Sequence, residues 1–584
     1  MRNERSLGGA LLLFTLGLSA CSGGGDAPSG EGYNVLLISL DSTRRDLLGA
    51  YGFESPYAPG VSPSPNLDAL ADGGVLLRDA YSTTSWTLPS HMSLLTGQPE
   101  LVHAVDIDYL RPDPSRRTLA ELLRTRGYAT SGFFSGPYLD SRFGFAEGFD
   151  RYEACYGPTL SDASKRMLAA YERAAQAAAT GDARAEREAR AEALELEGQV
   201  DGLSHRDVSS TSIVDAAAEA MAASVRAGQP FFVFAHFFDP HYDYVPPEPF
   251  DRFDPDYAGD VDGEDFWTNP AVSEFDRSLP SGRRRTIGDR DLEHIRALYA
   301  GELAWTDAEV GRLLDKLDEL GVAERTLVIV TADHGDEFFE HDAIGHRRTL
   351  YEEVVQVPMI LRMPGVLPAG ADVDGLVANN DVYATVLELL EMPAVPGMRS
   401  DSMVGLIRGA DDGAERAVFG RLLTALQITL QVPSGDQRID VQGTLFTLQE
   451  TYRKGPIKIT RRREWPEPAG DVPLEVGTEL RRTRDQHRAR EVLRWIDVER
   501  YPGEPEAMHS TDFTSPSVRA LLQEFHDAYG ELLRDRAQAG LQGQDEPPLA
   551  GMEGLGYTDG ASAAVSSDLF VLPPPGRDLL RDGR

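Results

Sequence analysis

Three apolar runs of strand length stand out along the chain. They cover residues 34–40 (NVLLISL), 231–238 and 326–331, and polar residues follow each of them. A continuous apolar run of about four to eight residues, without polar alternation, is typical of a strand that is buried on both faces of a parallel sheet. The pattern therefore predicts a parallel sheet at the centre of the protein.

Stretches with helical spacing of apolar residues separate these runs. They include residues 119–126, 213–226 and 292–320. Strands that alternate with helices predict an α/β fold, a doubly wound sandwich with helices on both faces of the sheet.

Polar residues occupy the ends of the three predicted strands. Asp41 follows the first strand, residues 236–241 (HFFDPH) end the second, and Asp333 follows the third. In open α/β sheets, functional groups gather beyond the carboxyl ends of the strands. We therefore expect these three segments to meet at one edge of the sheet.

The chain is too long for a single domain. Its 584 residues exceed the roughly 100–200 residues of a usual domain, and we expect a large domain over residues 33–397 and a smaller one over 398–537. The smaller domain is predicted as α+β, with a helix near 518–535. Its predicted strands are short and lie at residues 417–419, 428–432, 444–447 and 457–460.

Two further segments differ in composition from their surroundings. Residues 161–199 are rich in Ala, Glu and Arg and are predicted to form an exposed helical insertion in the large domain. Residues 538–584 are rich in Gly, Pro, Asp and Ser, offer little apolar surface to bury, and are predicted to be loosely ordered.

The net charge excludes one class of partner and constrains the site. A formal charge of −37 repels phosphate backbones, so nucleic acid is not an expected partner. A site for an anionic substrate in such a chain must carry its own positive charge, from a metal ion, histidines or helix N-termini.

The first residues predict export and lipid attachment. Residues 1–21 contain arginines, then an apolar stretch, then Leu-Ser-Ala-Cys, which resembles the lipobox of bacterial lipoproteins and makes Cys21 the anchor. Residues 22–32 read as a flexible tether. We expect an exported protein, held in the bacterial cell envelope through lipidated Cys21 alone, in which Cys155 forms no internal disulfide.

The segment Thr-Ala-Asp-His-Gly-Asp-Glu after the third strand suits a divalent metal. It places the Asp333 carboxylate and the His334 imidazole together at a strand end, where Asp41 has the same placement. An Asp-His pair also occurs as an ordinary helix cap or hydrogen-bonded pair, so this segment alone leaves both interpretations open.

Residues 84–97 (TSWTLPSHMSLLTG) predict a loop that enters a helix. Thr87 lies just before the predicted helix start, where backbone N–H groups and the helix dipole favour an anion and ease alkoxide formation. The same position suits a simple N-cap hydroxyl, and this segment alone favours the N-cap.

The motif Thr-Leu-Pro-Ser-His-Met-Ser-Leu-Leu-Thr-Gly resembles the sulfatase signature Cys/Ser-x-Pro-Ser-Arg-x-x-x-Leu-Thr-Gly, with Thr87 at the nucleophile position. Residues 34–52, 231–247, 299–337 and 340–358 are similar to further segments of that family, in the same order. The resemblance covers residues 33–393. It implies an alkaline-phosphatase-like sandwich around a mixed, mostly parallel sheet.

Carried over by position, the resemblance implies that Asp41, Asp333 and His334 bind one divalent metal. Calcium is expected from the family, while magnesium, manganese or zinc suit the same ligands. Thr87 would be the nucleophile, and His241 and His346 would protonate the leaving oxygen. His91, which stands in place of the signature arginine, is also predicted as a catalytic residue. Three other residues have lesser expected roles: Arg44 (a brace of the metal loop), His236 and His341.

Several positions depart from the family pattern. Threonine cannot be converted to formylglycine, the nucleophile of sulfatases proper, and would act through its plain hydroxyl as in phosphoryl-transferring relatives. Ser42 replaces the second Asp of the usual pair, His91 replaces arginine, and no Gly-Lys-x-His stretch is recognisable around residues 135–139. The sulfate-binding cations of the family are thus partly missing.

Taken together, these features predict a metal-dependent hydrolase of the sulfatase family that cleaves a sulfate or phosphate ester at the cell envelope. The substrate would be a sulfated or phosphorylated glycan, lipid or small molecule. A first alternative is a phosphodiesterase or phosphotransferase acting on an envelope glycan or lipid. A second is a non-catalytic binding protein on a degenerate sulfatase fold, against which His241 and His346 argue.

Overall fold

A computed structural model describes most of the chain. The described residues are 32–103, 105, 110–111, 116–180, 182–204, 208–264, 269–275, 283–434, 437–468, 490–538 and 542–543. The predicted signal peptide, the tether with the exception of Gly32, and nearly all of the predicted tail lie outside them. Among the described residues, no helix combines the length and the apolar character that crossing a bilayer requires.

A large sheet is built from strands between residues 34 and 378. Within the described part of the chain it has eight strands: β1 (Asn34–Leu40), β2 (Val75–Tyr81), β3 (Ala129–Phe134), β4 (Arg151–Ala154), β5 (Phe231–Phe237), β6 (Thr326–Ala332), β7 (Met359–Arg362) and β8 (Ala371–Ala378). Their order across the sheet is β8-β2-β7-β6-β1-β5-β3-β4. Only β7 runs antiparallel to its neighbours in this sheet, so the predicted mixed, mostly parallel sheet is confirmed.

The pairing of the central strands brings the predicted site segments together. Leu40, the last residue of β1, pairs with Phe237 of β5 and with Ala332 of β6, both in parallel register. The residues that follow these three strands therefore leave the sheet at the same edge, as the sequence predicts.

Helices cover both faces of the sheet. Consecutive side chains of a strand point to opposite faces, and Val35, Leu36, Leu37 and Ile38 are all fully buried. The longer helices are α1 (Pro65–Asp72), α2 (Thr87–Thr96), α3 (Leu119–Thr125), α4 (Pro158–Thr180), α5 (Ala183–Ser204), α6 (Ser210–Ala227), α7 (Asp289–Glu319), α8 (Asp381–Leu389) and α9 (Pro516–Gln538). Short helices of four residues cover Glu100–His103, Glu352–Val355 and Val404–Ile407.

Helices α4 and α5 form a hairpin where the helical insertion is predicted. The hairpin has a small hydrophobic core of its own, built from residues such as Leu160, Met167 and Val200. Most of its buried apolar contacts join its own two helices, so the hairpin packs as a separate unit attached to the large domain.

A second, antiparallel sheet follows the large one. Its strands are β9 (Ala417–Ser434), β10 (Gln437–Lys454), β11 (Ile457–Pro468) and β12 (Arg490–Asp497), paired in that order. The predicted short strands are wrong in length, since residues 417–419 and 428–432 belong to one strand of 18 residues. Helix α9 packs on one face of this sheet through Phe525 and Tyr529.

The boundary between the domains lies later than residue 397 when it is judged by packing. Met403, Val404 and Ile407 belong to the hydrophobic core of the large domain. The first strand of the second sheet begins only at Ala417.

A buried lysine joins the two domains. The ammonium of Lys458, on β11, donates to Glu352 Oε1 at 3.0 Å and to Glu504 Oε1 at 2.6 Å. The side chain of Lys458 is 3% exposed, and those of the two glutamates are 5% and 1% exposed. A cation between two desolvated carboxylates thus fixes the second sheet against the segment that follows the predicted site.

Candidate ester-hydrolase site

Two carboxylates lie side by side where β1 and β6 end. The backbone N–H of Ser42 donates to Asp333 Oδ1 at 3.0 Å, and the N–H of His334 donates to the same oxygen at 2.8 Å. Ser42 adopts a left-handed backbone conformation with a φ of 51°. Its hydroxyl donates to Asp41 Oδ1 at 2.9 Å. Both carboxylates are therefore held by the turns that end their strands.

The three predicted metal ligands converge. Ligand atoms of Asp41, Asp333 and His334 lie within 4.8 Å of one another, and all three side chains are buried. Asp333 Oδ2 has no hydrogen-bond partner among the described residues and lies 3.3 Å from His334 Nε2. Buried polar atoms are almost always paired, so this oxygen suits a bound cation.

Burial shifts the pKa values of the side chains in this cluster so that their neutral forms are favoured. Desolvation raises the pKa of Asp41 to about 7, and desolvation with the neighbouring Asp41 charge raises the pKa of Asp333 to about 7. Burial lowers the pKa of His334, so its imidazole is neutral. A cluster that disfavours its own charges in this way is stabilised by a cation that pairs with the carboxylates.

Thr87 lies at the rim of the cluster. It is the first residue of α2, and its Oγ1 is 3.3 Å from His334 Nε2. The N-cap residue is Trp86, and no side-chain hydrogen bond caps the helix. The N-cap interpretation of the Thr87 hydroxyl is therefore wrong, because the hydroxyl faces the acid and imidazole groups.

Two of the predicted acid residues lie next to each other. The ring centroids of His241 and His346 are 4.9 Å apart, and that of His346 is 4.3 Å from the ring of His334. His241 Nδ1 donates to the carbonyl of Tyr242 at 2.8 Å. The imidazoles predicted to protonate a leaving group thus lie beside His334, one of the predicted metal ligands.

His91 takes a different place from the other predicted site residues. Its Nδ1 donates to the Thr87 carbonyl at 2.9 Å, and its Nε2 lies 2.8 Å from the hydroxyl of Ser39. The ring is fully buried and lies behind Asp333, with Nδ1 3.7 Å from Asp333 Oδ2. With both nitrogens engaged, His91 supports the start of α2, and proton transfer by its ring would require one of these bonds to break.

The two histidines expected in lesser roles, His236 and His341, lie in different parts of the structure. His236 Nε2 lies 3.2 Å from Asp41 Oδ2, at the base of the cluster. His341 lies away from it, stacked on Tyr351 and 2.8 Å from Glu353 Oε1. Arg44 braces the turn after β6 as expected, since its guanidinium donates to the carbonyl of Asp336 at 3.0 Å.

Two functional candidates were not assigned from the sequence. Asp336 Oδ1 lies 2.7 Å from His346 Nδ1, and its Oδ2 accepts the Tyr244 hydroxyl at 2.6 Å. The guanidinium of Arg347 lies 3.6 Å above the ring of Trp86, the residue before Thr87. Asp336 belongs to the Asp-His-Gly-Asp motif, and its closeness to His334 along the sequence is the signal that could have identified it. Nothing in the sequence pairs Arg347 with Trp86.

The mostly parallel sheet with its helices is an α/β fold of the alkaline phosphatase type. Residues 33–392 match the sulfatase family. The chain belongs to the sulfatase family. The resemblance found in the sequence motifs is confirmed.

Relatives of known function share part of the chain. The ulvan-active sulfatase of Formosa agariphila is 24% identical over 406 residues, which cover 66% of this chain and 66% of that protein. Human iduronate 2-sulfatase is 25% identical, with 65% and 67% covered. Mouse arylsulfatase K is 30% identical over 23% of this chain and 24% of its own. The matched region thus spans about a quarter of arylsulfatase K and about two thirds of the ulvan-active sulfatase.

Solved structures share the fold. The phosphonate monoester hydrolase of Agrobacterium radiobacter has a TM-score of 0.54 at 19% identity, with 88% of this chain and 98% of that chain covered. A protein solved with its substrate D-glucosamine-2-N,6-O-disulfate has a TM-score of 0.55 at 14% identity, with 87% and 98% covered. These similarities establish the architecture.

Proposed function

We propose that this protein is a metal-dependent hydrolase that cleaves a phosphate or sulfate ester by attack of the Thr87 hydroxyl. The observation that carries this proposal is the position of Thr87 Oγ1, 3.3 Å from His334 Nε2, at the rim of the buried carboxylates. A threonine hydroxyl at the start of a helix, turned toward ligand-type side chains, suits a nucleophile better than a helix cap.

The residues present fit a divalent cation. Asp41, Asp333 and His334 offer two carboxylates and a neutral imidazole, and Asp333 Oδ2 lacks a hydrogen-bond partner among the described residues. A divalent ion bound by them would polarise the ester oxygens and favour the alkoxide form of a neighbouring hydroxyl.

Different side chains would form the new bond and protonate the leaving oxygen. Thr87 Oγ1 gives its proton to a solvent base and forms the bond to phosphorus or sulfur. The bond between that atom and the ester oxygen breaks, and the ester oxygen leaves with a proton from His241 or His346. Water then releases the phosphate or sulfate and restores the threonine. Because a plain hydroxyl forms a phospho-enzyme and cannot follow the formylglycine route, we favour the phosphate ester.

The experiment that tests this proposal compares three aryl esters. The purified protein, supplied in turn with calcium, magnesium, manganese or zinc, is given an aryl sulfate, an aryl phosphate monoester and an aryl phosphodiester. Turnover of the phosphate monoester supports the proposal. Preference for the diester would favour the phosphodiesterase or transferase alternative, and no turnover with any ester and metal would favour the binding-protein alternative.

We expect the affinity for a divalent ion to rise steeply with pH. Asp41 and Asp333 have pKa values near 7 and are protonated below it, so each must release a proton before it binds a cation. His334 is already neutral because burial lowers its pKa. Each released proton increases the affinity by about tenfold per pH unit. Calorimetry with manganese should therefore show a strong rise between pH 5.5 and 7 and a plateau above about pH 8.

The variant Asp41→Asn provides the control for this pH dependence. It removes one of the two titrating ligands and should therefore lower the affinity for the ion. The slope of the logarithm of this affinity against pH should also fall by about one, because one proton fewer is released. An affinity that stays constant between pH 5.5 and 8 in the wild-type protein would contradict the assignment of these carboxylates as ligands.

We further propose an anionic glycan ester as the substrate and the bacterial cell envelope as the location. The glycan is supported by the names of similar proteins, an ulvan-active sulfatase and a protein solved with a glucosamine disulfate. The envelope location rests on the signal sequence that ends at Cys21. Metabolic labelling with a fatty acid analogue, lost in Cys21→Ala, tests the anchor.

A further inference from the structure

The donor atoms around Asp41, Asp333 and His334 differ from those of a calcium site, although calcium is the ion expected from the resemblance to the sulfatase family. Calcium in proteins takes about six to eight oxygen ligands from carboxylates, carbonyls and water. Zinc takes about four ligands, and imidazole nitrogen is common among them. The atoms of the cluster that are available to an ion can therefore distinguish the two ions.

Asp333 offers one oxygen to an ion. Its Oδ1 accepts the backbone N–H of Ser42 at 3.0 Å and that of His334 at 2.8 Å, and these two bonds use both lone pairs of that oxygen. Its Oδ2 is buried and has no hydrogen-bond partner among the described residues. Asp333 is thus arranged to bind through a single oxygen, whereas calcium often takes both oxygens of a carboxylate.

Asp41 is restricted in a similar way. Its Oδ1 accepts the Ser42 hydroxyl at 2.9 Å, and its Oδ2 lies 3.2 Å from His236 Nε2. Each oxygen therefore already has one polar neighbour. Ser42 also stands where the family pattern has a second Asp, so a hydroxyl that donates to Asp41 replaces a carboxylate that could bind an ion.

Other oxygens at the ends of β1 and β6 are engaged as well. The Asp336 carboxylate uses both oxygens, with His346 Nδ1 at 2.7 Å and the Tyr244 hydroxyl at 2.6 Å. Three backbone carbonyls accept hydroxyl groups: that of Asp41 from Thr43, that of Ser42 from Tyr299, and that of Asp333 from Ser90. Within the described part of the chain, calcium would find few unused oxygens at this edge of the sheet.

The nitrogen of His334, by contrast, is oriented for an ion. Its Nδ1 lies 3.1 Å from the Gly335 carbonyl, and because a carbonyl can only accept, Nδ1 carries the hydrogen. Nε2 of the neutral ring then has a lone pair, and it lies 3.3 Å from both Asp333 Oδ2 and Thr87 Oγ1. A backbone carbonyl that fixes the tautomer in this way is a usual partner of a metal-bound histidine.

We propose that the cluster of Asp41, Asp333 and His334 binds zinc in preference to calcium, and that Ser42 and His334 determine this choice. The purpose of the ion in ester cleavage rests on the proposed function, whereas the preference rests on the donor atoms. A hydroxyl in place of a carboxylate removes a charged oxygen ligand, which weakens calcium binding, and an imidazole ligand favours zinc.

Competition calorimetry with zinc and calcium tests this proposal on the purified full chain, after a chelator has removed any bound metal. We expect the affinity for zinc to exceed that for calcium by about 100-fold or more. Zinc also binds histidines outside dedicated sites, so His334→Ala should abolish the tight zinc binding. His526→Gln is the matched control, since His526 is a half-buried histidine on α9 and its loss should leave the affinity unchanged.

The variant Ser42→Asp restores the second carboxylate of the family pattern. It should raise the affinity for calcium by about tenfold or more, because it adds a charged oxygen ligand. The backbone of Ser42 has a φ of 51°, a conformation that Asp adopts more readily than most residues do. Ser42→Asn has a similar size without the charge and should raise the calcium affinity less.

Cobalt provides a measurement that needs no variant. A cobalt ion with four ligands that include nitrogen absorbs visible light strongly, whereas six oxygen ligands give weak absorption. We expect strong absorption from the wild-type protein, lost when zinc is added. Equal affinities for zinc and calcium, or weak cobalt absorption, would overturn the proposal.

These binding measurements use no ester, so they separate the choice of ion from the proposed function. Preference for zinc in a protein that turns over no ester would mean that the choice of ion is correctly assigned and the proposed function fails. Ester turnover by a protein that binds calcium as tightly as zinc would mean the reverse.

Discussion

Thr87→Ala should reduce ester turnover by about 10⁴-fold or more, which is the scale of losing a catalytic nucleophile. The hydroxyl lies at the start of α2, 3.3 Å from His334 Nε2. Without it, only water can attack the ester. Steady-state kinetics on the best ester of the panel measure the loss, and calorimetry should show that the metal still binds.

A matched control comes from the other end of the same helix. Thr96 is also buried, but its hydroxyl donates to the Met92 carbonyl within α2, so Thr96→Ala should keep most of the activity. Thr87→Ser, which keeps a hydroxyl, should retain a measurable part of it. Sulfate turnover that survives Thr87→Ala would show that Thr87 is not the nucleophile.

Lys458→Met should destabilise the protein by about 3 kcal/mol or more. Removing one partner of a buried ion pair leaves an uncompensated charge. Glu352 would keep Arg453 at 2.7 Å, so the loss would fall mainly on the buried Glu504, which lies 2.6 Å from the ammonium. Urea unfolding, followed by far-ultraviolet circular dichroism, should show a lower midpoint.

Lys454→Met provides the comparison for this substitution. Lys454 also contacts two carboxylates, Glu415 at 2.9 Å and Glu524 at 3.0 Å, but those glutamates are 92% and 45% exposed. Exposed ion pairs contribute about 1 kcal/mol or less, so the midpoint should hardly move. Equal shifts in the two variants would mean that burial of the Lys458 cluster does not determine its contribution.

The large sheet and the ends of its strands could be predicted because their signal is local. The runs that became β1, β5 and β6 are continuously apolar, as strands buried on both faces must be. Their parallel arrangement then fixes where Asp41 and Asp333 lie. The placement of both carboxylates at one edge therefore follows from strand length and direction alone.

The second sheet was predicted less well because charged residues are buried in it. Arg461 and Arg463 alternate with Arg462 along β11, yet both are buried because Glu450 on β10 pairs with them at 2.6 and 3.0 Å. A run of arginines indicates an exposed segment unless its partner is known. That partner is specified only by the register between two strands, which the sequence pattern does not contain.

Tertiary contacts account for the remaining differences at the site. The Asp336 contact with His346 depends on how the segment after β6 folds back on itself, and the contact of His91 with Ser39 depends on how α2 packs against β1. These distances are set by the packing of several elements. The resemblance to the sulfatase family supplied positions for His91 and His346 without their hydrogen-bond partners.

The hydrogen bond from Ser42 to Asp333 closes the acid cluster across 291 residues of chain. During synthesis from the N-terminus, Asp41 is made early, but its partner carboxylate and imidazole emerge only when most of the large domain has left the ribosome. No early fragment can hold an ion in this cluster. An ion bound by this cluster would consequently be chosen from those available in the compartment where the chain completes its folding, whichever compartment makes the chain.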